Sequence, residues 1–367
     1  MKVMTIVGTR PELIRLSRVI PLLDRYCEHI FVHTGQNYDP NLKDIFFENL
    51  NLRKPDYLGS WWTGDHPSIA EDIDNVLRTT EEVIKEEHPD KLLILGDTNS
   101  GLSAIIAKRY GVKVYHMEAG NRCYNDIVPE EVNRRIIDHC SDVWMPYTER
   151  SRQYLLREGI PQDKIFVTGN PIFEVLCYYS DISITSTVLE RLGLQPNKYF
   201  LVTMHRSENV DNPEILDYLR KAFYQLKEQY PVVISVHPHT RKRLNNQYYT
   251  EGIILSDPFN FTDFVHLESN AYCVITDSGT VQEECSILNV PHVIIRTTNE
   301  RLETVESGSS IICGYKPETI IRGVDVVTGL DPKPVDLYDI IGINCPEEYK
   351  VTNVSKIVTK IVLGEYP

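Results

Sequence analysis

The chain has 367 residues, 42% hydrophobic and 25% charged, with a formal net charge of −14. That length supports more than one core-bearing domain, and the composition is globular rather than disordered or fibrous. The negative balance disfavours nucleic acid and anionic membranes as partners, and no apolar stretch reaches the ~20 residues that cross a bilayer.

Eight cysteines, at 27, 123, 140, 177, 273, 285, 313 and 345, include no Cys-x-x-Cys pair. That spacing argues against a zinc site or a disulfide frame and for reduced thiols. No metal and no redox cofactor is expected. The opening Met1–Gly8 reads as a first strand rather than a signal segment, so a cytoplasmic protein is expected.

In chain order, strands are expected at 2–7, 29–34, 91–95, 112–117, 142–146 and 164–168. Helices are expected at 11–26, 40–50, 67–86, 100–110, 129–140 and 148–158. Short β-branched runs alternating with longer amphipathic ones are the pattern of parallel βαβ units. Gly169-Asn170-Pro171 then punctuates the chain. A second alternation starts at Tyr199–Thr203 and continues through 212–229, 231–236, 252–255, 260–267, 272–276, 279–288, 291–295 and 301–306. The tail, 350–363, is amphipathic and reads as a helix. The expected architecture is α/β, with two Rossmann-like, doubly wound halves (1–170 and 171–345) facing a central cleft. The tail in 346–367 would pack back on the first half.

In an open parallel sheet, ligands bind beyond the carboxyl ends of the strands. The run Lys91–Leu95 leads into Gly96-Asp97, and Val112–Met117 leads into Glu118-Ala119-Gly120. A third acid, Glu130, sits in Pro129-Glu130-Glu131. Acids so placed read as proton-transfer groups. Asp97 could equally cap the following helix, and Glu130 and Glu131 gain from a helix dipole. Glu118 is harder to explain structurally, because a buried glutamate needs a partner. His116, Arg122 and Arg134 are the candidates. Arg134 lies at i+4 from Glu130 and could also pair with it.

Gly8-Thr9-Arg10-Pro11-Glu12 follows the first strand. Glycine allows the turn, proline suits the first helical position, and the helix N–H groups with Arg10 suit an anion. The motif is not Gly-x-Gly-x-x-Gly, which argues against a dinucleotide cofactor. In the second half, His205 beside Arg206 at a strand end suits an electrostatic or acid–base role. His237 and His239, two residues apart, do not match a helical zinc pair. In Asp277-Ser278-Gly279-Thr280, a strand turns into a helix whose donors can face a phosphate. Glu284, one turn later, could accept from a ribose diol, or it could simply complement the helix dipole. The loop Arg296–Arg301 is polar.

Together these residues resemble the non-hydrolysing UDP-N-acetylglucosamine 2-epimerase family, which has a GT-B-like fold. The markers run nearly end to end: Gly8–Glu12, Gly96-Asp97-Thr98, Glu118–Gly120, Pro129–Glu131 with Asn133-Arg134, His205-Arg206 with Glu208-Asn209, and Asp277–Gly279 with Gln282–Glu284. The resemblance implies that Asp97, Glu118 and Glu130 handle the C2 proton of the sugar and that His205 stabilises the departing nucleotide. Arg10, Ser278, Gly279, Thr280 and Glu284 would hold UDP. Arg15, Asn121, Arg122, Arg134, Arg206, His237, Arg241 and Arg301 would contact substrate. It implies a homodimer and no cofactor. A GT-B glycosyltransferase and a hydrolysing 2-epimerase are the alternatives, the first disfavoured by the surplus of carboxylates.

The chain also departs from common bacterial members. Arg15 stands where a lysine is usual, and Gln36-Asn37-Tyr38-Asp39-Pro40 replaces the usual Gln-His-Arg regulatory motif, so activation by UDP-N-acetylglucosamine is not expected. The loop between Glu118 and Glu130 is shorter than usual, and Ser207 replaces an arginine. Asn121-Arg122-Cys123, Thr280 and His237–Arg241 are more similar to the branch acting on modified UDP-N-acetylhexosamines. These include 6-deoxy-L-sugars, which are favoured here, and diacetamido uronic acids.

Overall fold

The computed structural model describes residues 1–35, 47, 49–59, 68–236, 238–244, 250–330 and 344–366. They form two compact units, one of Met1–Cys177 with the stretch from Val351, the other Tyr178–Lys350.

The first unit carries a parallel sheet of β1 (Lys2–Val7), β2 (Glu28–His33), β3 (Tyr57–Leu58), β4 (Lys91–Leu95), β5 (Lys113–Met117) and β6 (Val143–Met145). Its strand order is β3-β2-β1-β4-β5-β6, reversing between β1 and β4. The connections include α1 (Arg10–Leu16), α2 (Ile20–Tyr26), α3 (Ile69–Glu87), α4 (Ser103–Arg109), α5 (Pro129–Cys140) and α6 (Glu149–Arg157). Strand residues such as Met4, Ile6, Val32, Leu92, Ile94 and Val114 bury against Val83 and Ile84 of α3 and Ala104 and Ala107 of α4. Near-continuous apolar strands of this kind are what a sheet covered on both faces requires.

Three sequence expectations are corrected here. The single helix over 11–26 is two, interrupted at Ser17–Val19. Pro21 sits in the first turn of α2, where its missing N–H costs nothing but prevents one continuous ladder. The strand over 164–168 is a short 3-10 turn, Gln162–Lys164, followed by one isolated bridge between Ile165 and Trp144. The helix at 100–110 begins as a 3-10 turn, Asn99–Leu102, before α4. The helix expected at 40–50 lies mostly outside the described residues.

The second unit repeats the design; α7 (Ile172–Ile184) begins in the first unit and ends in the second, and α8 (Val188–Leu192) precedes the first strand there. Its strands are β7 (Phe200–Thr203), β8 (Val232–Ser235), β9 (Ile253–Ser256), β10 (Cys273–Thr276), β11 (His292–Ile294) and β12 (Ser310–Ile312). The order is β12-β11-β10-β7-β8-β9, again all parallel, with the reversal between β10 and β7. Helices are α9 (Ser207–Val210), α10 (Pro213–Leu226), α11 (Pro238–Arg243), α12 (Phe261–Asn270), α13 (Gly279–Ile287), α14 (Leu302–Glu306) and α15 (Pro317–Leu330). One sheet face buries Phe200, Val202 and Ile275 against Leu219, Phe223, Ile320 and Val324. The other buries Leu201, Val233 and Val274 against Leu267, Val281 and Cys285.

The last helix, α16 (Val354–Leu363), belongs to the first unit. Glu174 accepts from the Ser355 N–H at its start (2.7 Å), and the buried Lys91 ammonium donates to the Val362 carbonyl at its end (2.9 Å). An anion at the N-terminus and a cation at the C-terminus both complement the helix dipole. Among the described residues, no helix is long and apolar enough to cross a membrane.

Candidate active site

Both sheets reverse their strand order at the strands carrying the sequence-marked residues. Ligand crevices of doubly wound sheets open at such reversals. In the first unit these strands are β1, followed by Gly8–Arg10, and β4, followed by Gly96-Asp97. One side chain ties them together. Glu12, buried in α1, accepts from the Gly8 N–H (3.1 Å), the Thr9 N–H (2.8 Å), the Thr9 hydroxyl (2.6 Å) and the Thr98 hydroxyl (3.2 Å). Burial, only partly offset by these bonds, pushes its carboxyl up to about 7. Arg10 opens α1, where burial lowers its guanidinium from the ordinary value.

β4 and β5 are neighbours in register Leu95↔Met117, so Asp97 and Glu118 leave the sheet side by side. Glu118 has φ +62°, a left-handed backbone rare outside glycine and often found at functional sites. Gly120 follows at φ +81°, and a Cβ there would stand 2.4 Å from the Ser151 carbonyl oxygen of α6. Only glycine fits.

The partner of Glu118 is Arg15. Arg15 Nη1 meets Glu118 Oε2, with both side chains almost wholly buried, while Asn121 Nδ2 donates to Glu118 Oε1 at 3.2 Å. Ser151 in turn donates to Asn121 Oδ1 (3.0 Å). Two of the candidates named from sequence point elsewhere. His116 faces Asp138 Oδ1 (2.8 Å) and the Gly96 carbonyl (2.8 Å) through its two ring nitrogens. Arg122 binds Asp138 (2.8 Å) and clasps Glu158 (2.8 and 2.6 Å) with its side chain buried. Asp138 also accepts from the Gly120 N–H (3.1 Å). Burial acts to raise its carboxyl, but His116 and Arg122 outweigh that and hold it below the usual range.

Asp97 accepts from Arg134 Nε at 2.8 Å, and the guanidinium Nη2 lies at the same distance from it as an ion pair. Arg134 reaches Glu131 as well (2.8 Å), and Glu131 also takes the N–H groups of Cys123 (3.0 Å) and Tyr124 (3.1 Å). Glu131, which sequence reasoning assigned to the helix dipole, is therefore the buried anchor of the 121–128 loop. Glu130 is half-buried in the same first turn of α5.

In the second unit the reversal joins β7, followed by His205-Arg206, to β10, followed by Asp277–Gly279. Fully buried Asp277 accepts from the His205 N–H (3.0 Å), the Arg206 N–H (3.0 Å) and Asn209 Nδ2 (3.0 Å), and lies 3.3 Å from His205 Nδ1. The imidazole itself is exposed. Ser278 stands at the N-cap position of α13, and Arg301 lies against Gly279, where a Cβ would stand 2.6 Å from Nη1. Arg301 is fixed by Glu283 (2.6 Å) and Glu300 (2.5 Å), and Glu300 also meets Arg296 (2.9 Å) and Arg206 (3.5 Å). Thr280 is half-buried and Glu284 buried on α13. Arg241 pairs with exposed Asp257 (2.8 Å). His237 and the segment Gln36–Pro40 lie outside the described residues. Among the described residues, no His/Cys/Asp/Glu cluster is arranged to hold a metal.

A family model described as UDP-N-acetylglucosamine 2-epimerase matches residues 23–336. The UDP-N-acetylglucosamine 2-epimerase of Methanocaldococcus jannaschii is 37% identical over 346 residues, covering 89% of this chain and 92% of that protein. The chain belongs to the UDP-N-acetylglucosamine 2-epimerase family. The chain is also similar to the UDP-2,3-diacetamido-2,3-dideoxy-D-glucuronate 2-epimerase of Pseudomonas aeruginosa, at 32% identity over 90% of this chain and 93% of that one. A structure of the M. jannaschii UDP-N-acetylglucosamine 2-epimerase in complex with UDP-GlcNAc and UDP matches with a TM-score of 0.88 at 35% identity. It covers 99% of this chain and 100% of that one. This likeness to the UDP-N-acetylglucosamine 2-epimerase fold bears out the expected α/β class with two Rossmann-like halves.

Proposed function

We propose that this enzyme inverts C2 of a UDP-N-acetylhexosamine without net hydrolysis. The C2 hydrogen is not acidic, because no carbonyl adjoins C2 in the ring. The reaction therefore breaks the C1–O bond first, the electron pair leaving with UDP, and a carboxylate takes the C2 proton to give a 2-acetamidoglycal. UDP then adds back at C1 as a proton is delivered to C2 from the opposite face.

The observation that carries this reading is the adjacent strand-end pair, Glu118 held by Arg15 and Asp97 held by Arg134. Carboxylates fixed by guanidinium groups are oriented for proton transfer rather than left as surface charge. Glu130 is assigned as the third acid. In the second unit His205, oriented by Asp277, would stabilise the departing diphosphate. The Ser278-Gly279-Thr280 turn and Arg10 would hold the phosphates. Glu284 would hold the ribose diol, and Arg206 and Arg301 would supply positive charge nearby.

The likeness to the diacetamido-glucuronate 2-epimerase supports a second reading of the sugar, modified at C3 or C6; the 6-deoxy-L-hexosamine form rests on the sequence resemblance alone. A panel of UDP-GlcNAc, UDP-ManNAc, their 6-deoxy-L analogues and diacetamido uronates, followed by NMR, tests both. An equilibrium mixture of C2 epimers without accumulating UDP is expected for one of them. Stoichiometric UDP release would identify a hydrolysing enzyme instead.

A further inference from the structure

His116 on β5 and Asp138 on α5 are each no more than 1% exposed, and no step of the proposed reaction uses either. Together they make one chain of hydrogen bonds. His116 Nδ1 lies 2.8 Å from Asp138 Oδ1, and its Nε2 lies 2.8 Å from the Gly96 carbonyl oxygen. A carbonyl and a carboxylate only accept, so the ring donates from both nitrogens. Asp138 Oδ2 in turn accepts from the Gly120 N–H (3.1 Å) and faces Arg122 Nη2 (2.8 Å).

Each end of that chain stands beside one of the strand-end carboxylates. Gly96 immediately precedes Asp97, and Gly120 follows Glu118 by two residues. Both glycines are left-handed, at φ +74° and +81°, so the peptides held by His116 and Asp138 belong to the turns that aim the two acids. A Cβ added to Gly96 would stand 3.6 Å from Glu118 Oε2, which places the Glu118 carboxylate over the turn that presents Asp97. The same helix also serves both turns. Glu130, Arg134 and Asp138 recur every four residues and share one face of α5. Arg134 holds Asp97 (2.8 Å), and Trp144 Nε1 donates to the Asp138 carbonyl (2.8 Å), fixing the last turn of α5. A buried charged pair adds little stability over apolar residues of the same volume. Directed bonds to two chosen peptides add geometry instead.

We propose that His116 and Asp138 are positioning residues for the C2 proton transfer: bonded to Gly96 and Gly120, they set the spacing and aim of the Asp97 and Glu118 carboxylates. This rests on the reading of Asp97 and Glu118 as the acids that exchange the C2 proton. A displacement of about 1 Å in such a group costs about a hundredfold in rate.

The test measures kcat and KM for deuterium exchange at C2 in heavy water, with the panel sugar that the unmodified enzyme epimerises. Values of kcat are normalised to the UDP-binding sites counted by calorimetry. His116→Phe keeps a ring and removes the donor to Gly96; kcat per site is expected to fall about a hundredfold, with KM within about threefold. His116→Gln keeps an N–H in reach of Gly96 and is expected to recover about tenfold of that loss, the worth of one strong hydrogen bond. A histidine that only filled the core would lower the number of sites and leave kcat per site alone. Should His116→Phe not fold, His116→Asn, which keeps a donor toward Asp138 but not toward Gly96, is read in its place with the same expectation. Glu118→Gln separates the two claims. If it slows exchange while the His116 variant stays within about threefold of the unmodified kcat per site, the pair is merely structural and the proposal is overturned. Equal loss in His116→Gln and in the variant without the Gly96 donor would likewise overturn it. If Glu118→Gln exchanges as fast as the unmodified enzyme, or no panel sugar exchanges at all, the carboxylate assignment itself fails and the proposal falls with it.

Discussion

Arg15 on the first helix and Glu118 at the end of β5 meet through a buried ion pair, although 103 residues separate them. Arg15 also lies 5.8 Å from the Tyr147 ring centroid, so it is held on two sides. The pair fixes the strained Glu118 backbone and neutralises its charge where water is scarce. Replacing Arg15 by Ala leaves a carboxylate buried without its guanidinium, and a loss of about 3–5 kcal/mol is expected. Thermal unfolding measures that loss. Turnover should fall about a hundredfold or more, because a misplaced base loses its reach. Arg15→Lys keeps the charge but not the fork. It should recover most of the stability and only part of the rate.

The Glu12 carboxyl gives the fold a pH dependence of defined sign. Its folded value is about 7, while its unfolded value is near the ordinary 4.5. Between those values the folded chain holds a proton that the unfolded chain has released. Stability therefore declines as pH rises through that window and is level above it. The decline attributable to Glu12 is about 3 kcal/mol. Glu12→Gln should remove this component, seen in denaturant midpoints compared at pH 5 and pH 8. An unchanged slope in the variant would assign the dependence to other groups.

Asp138 works in the opposite direction. Its folded value is held below the ordinary carboxylate range, so its stabilisation is present above the unfolded value near 4 and is lost as pH falls through the folded one. Asp138→Asn keeps the shape but removes the charge that Arg122 and His116 both address. A loss of about 1–3 kcal/mol in chemical unfolding at pH 7 is expected, because the charged hydrogen bonds to Asp138 are lost while Arg122 keeps Glu158.

Gly279→Ala tests the phosphate turn. The new methyl would sit 2.6 Å from Arg301 Nη1, and that guanidinium cannot swing away cheaply, because Glu283 and Glu300 hold it. Affinity for UDP should drop about tenfold or more, and thermal stability should fall by about 1–3 kcal/mol from the crowding. Normal UDP binding in this variant would place the phosphates elsewhere.

The sheets were legible because buried parallel strands need short, mostly apolar runs, and β1, β4, β5, β7 and β10 have them. β12 escaped because Ser310-Ile311-Ile312 is too short to stand out, and the helix after it, α15, was not marked at all. The acids at Asp97 and Glu118 stood out through their strand-end positions and flanking glycines. Their partners did not, since Arg15 and Glu118 are brought together only by tertiary structure. Asp138, Glu131 and Asp277 hold the loops from beneath. In sequence Asp138 carries no mark, and Glu131 and Asp277 stand in marked motifs without this supporting role being visible, because burial rather than residue type decides it.

Deuterium exchange at C2 in heavy water, followed by NMR, tests directly whether Glu118 and Asp97 move the C2 proton of a UDP-N-acetylhexosamine. One deuterium at C2 is expected in product and in recovered substrate. Exchange should slow by at least about a hundredfold in Glu118→Gln and Asp97→Asn, with UDP binding retained. Epimerisation with the C2 hydrogen carried over from substrate, or no exchange with any UDP-N-acetylhexosamine in the panel, would contradict it.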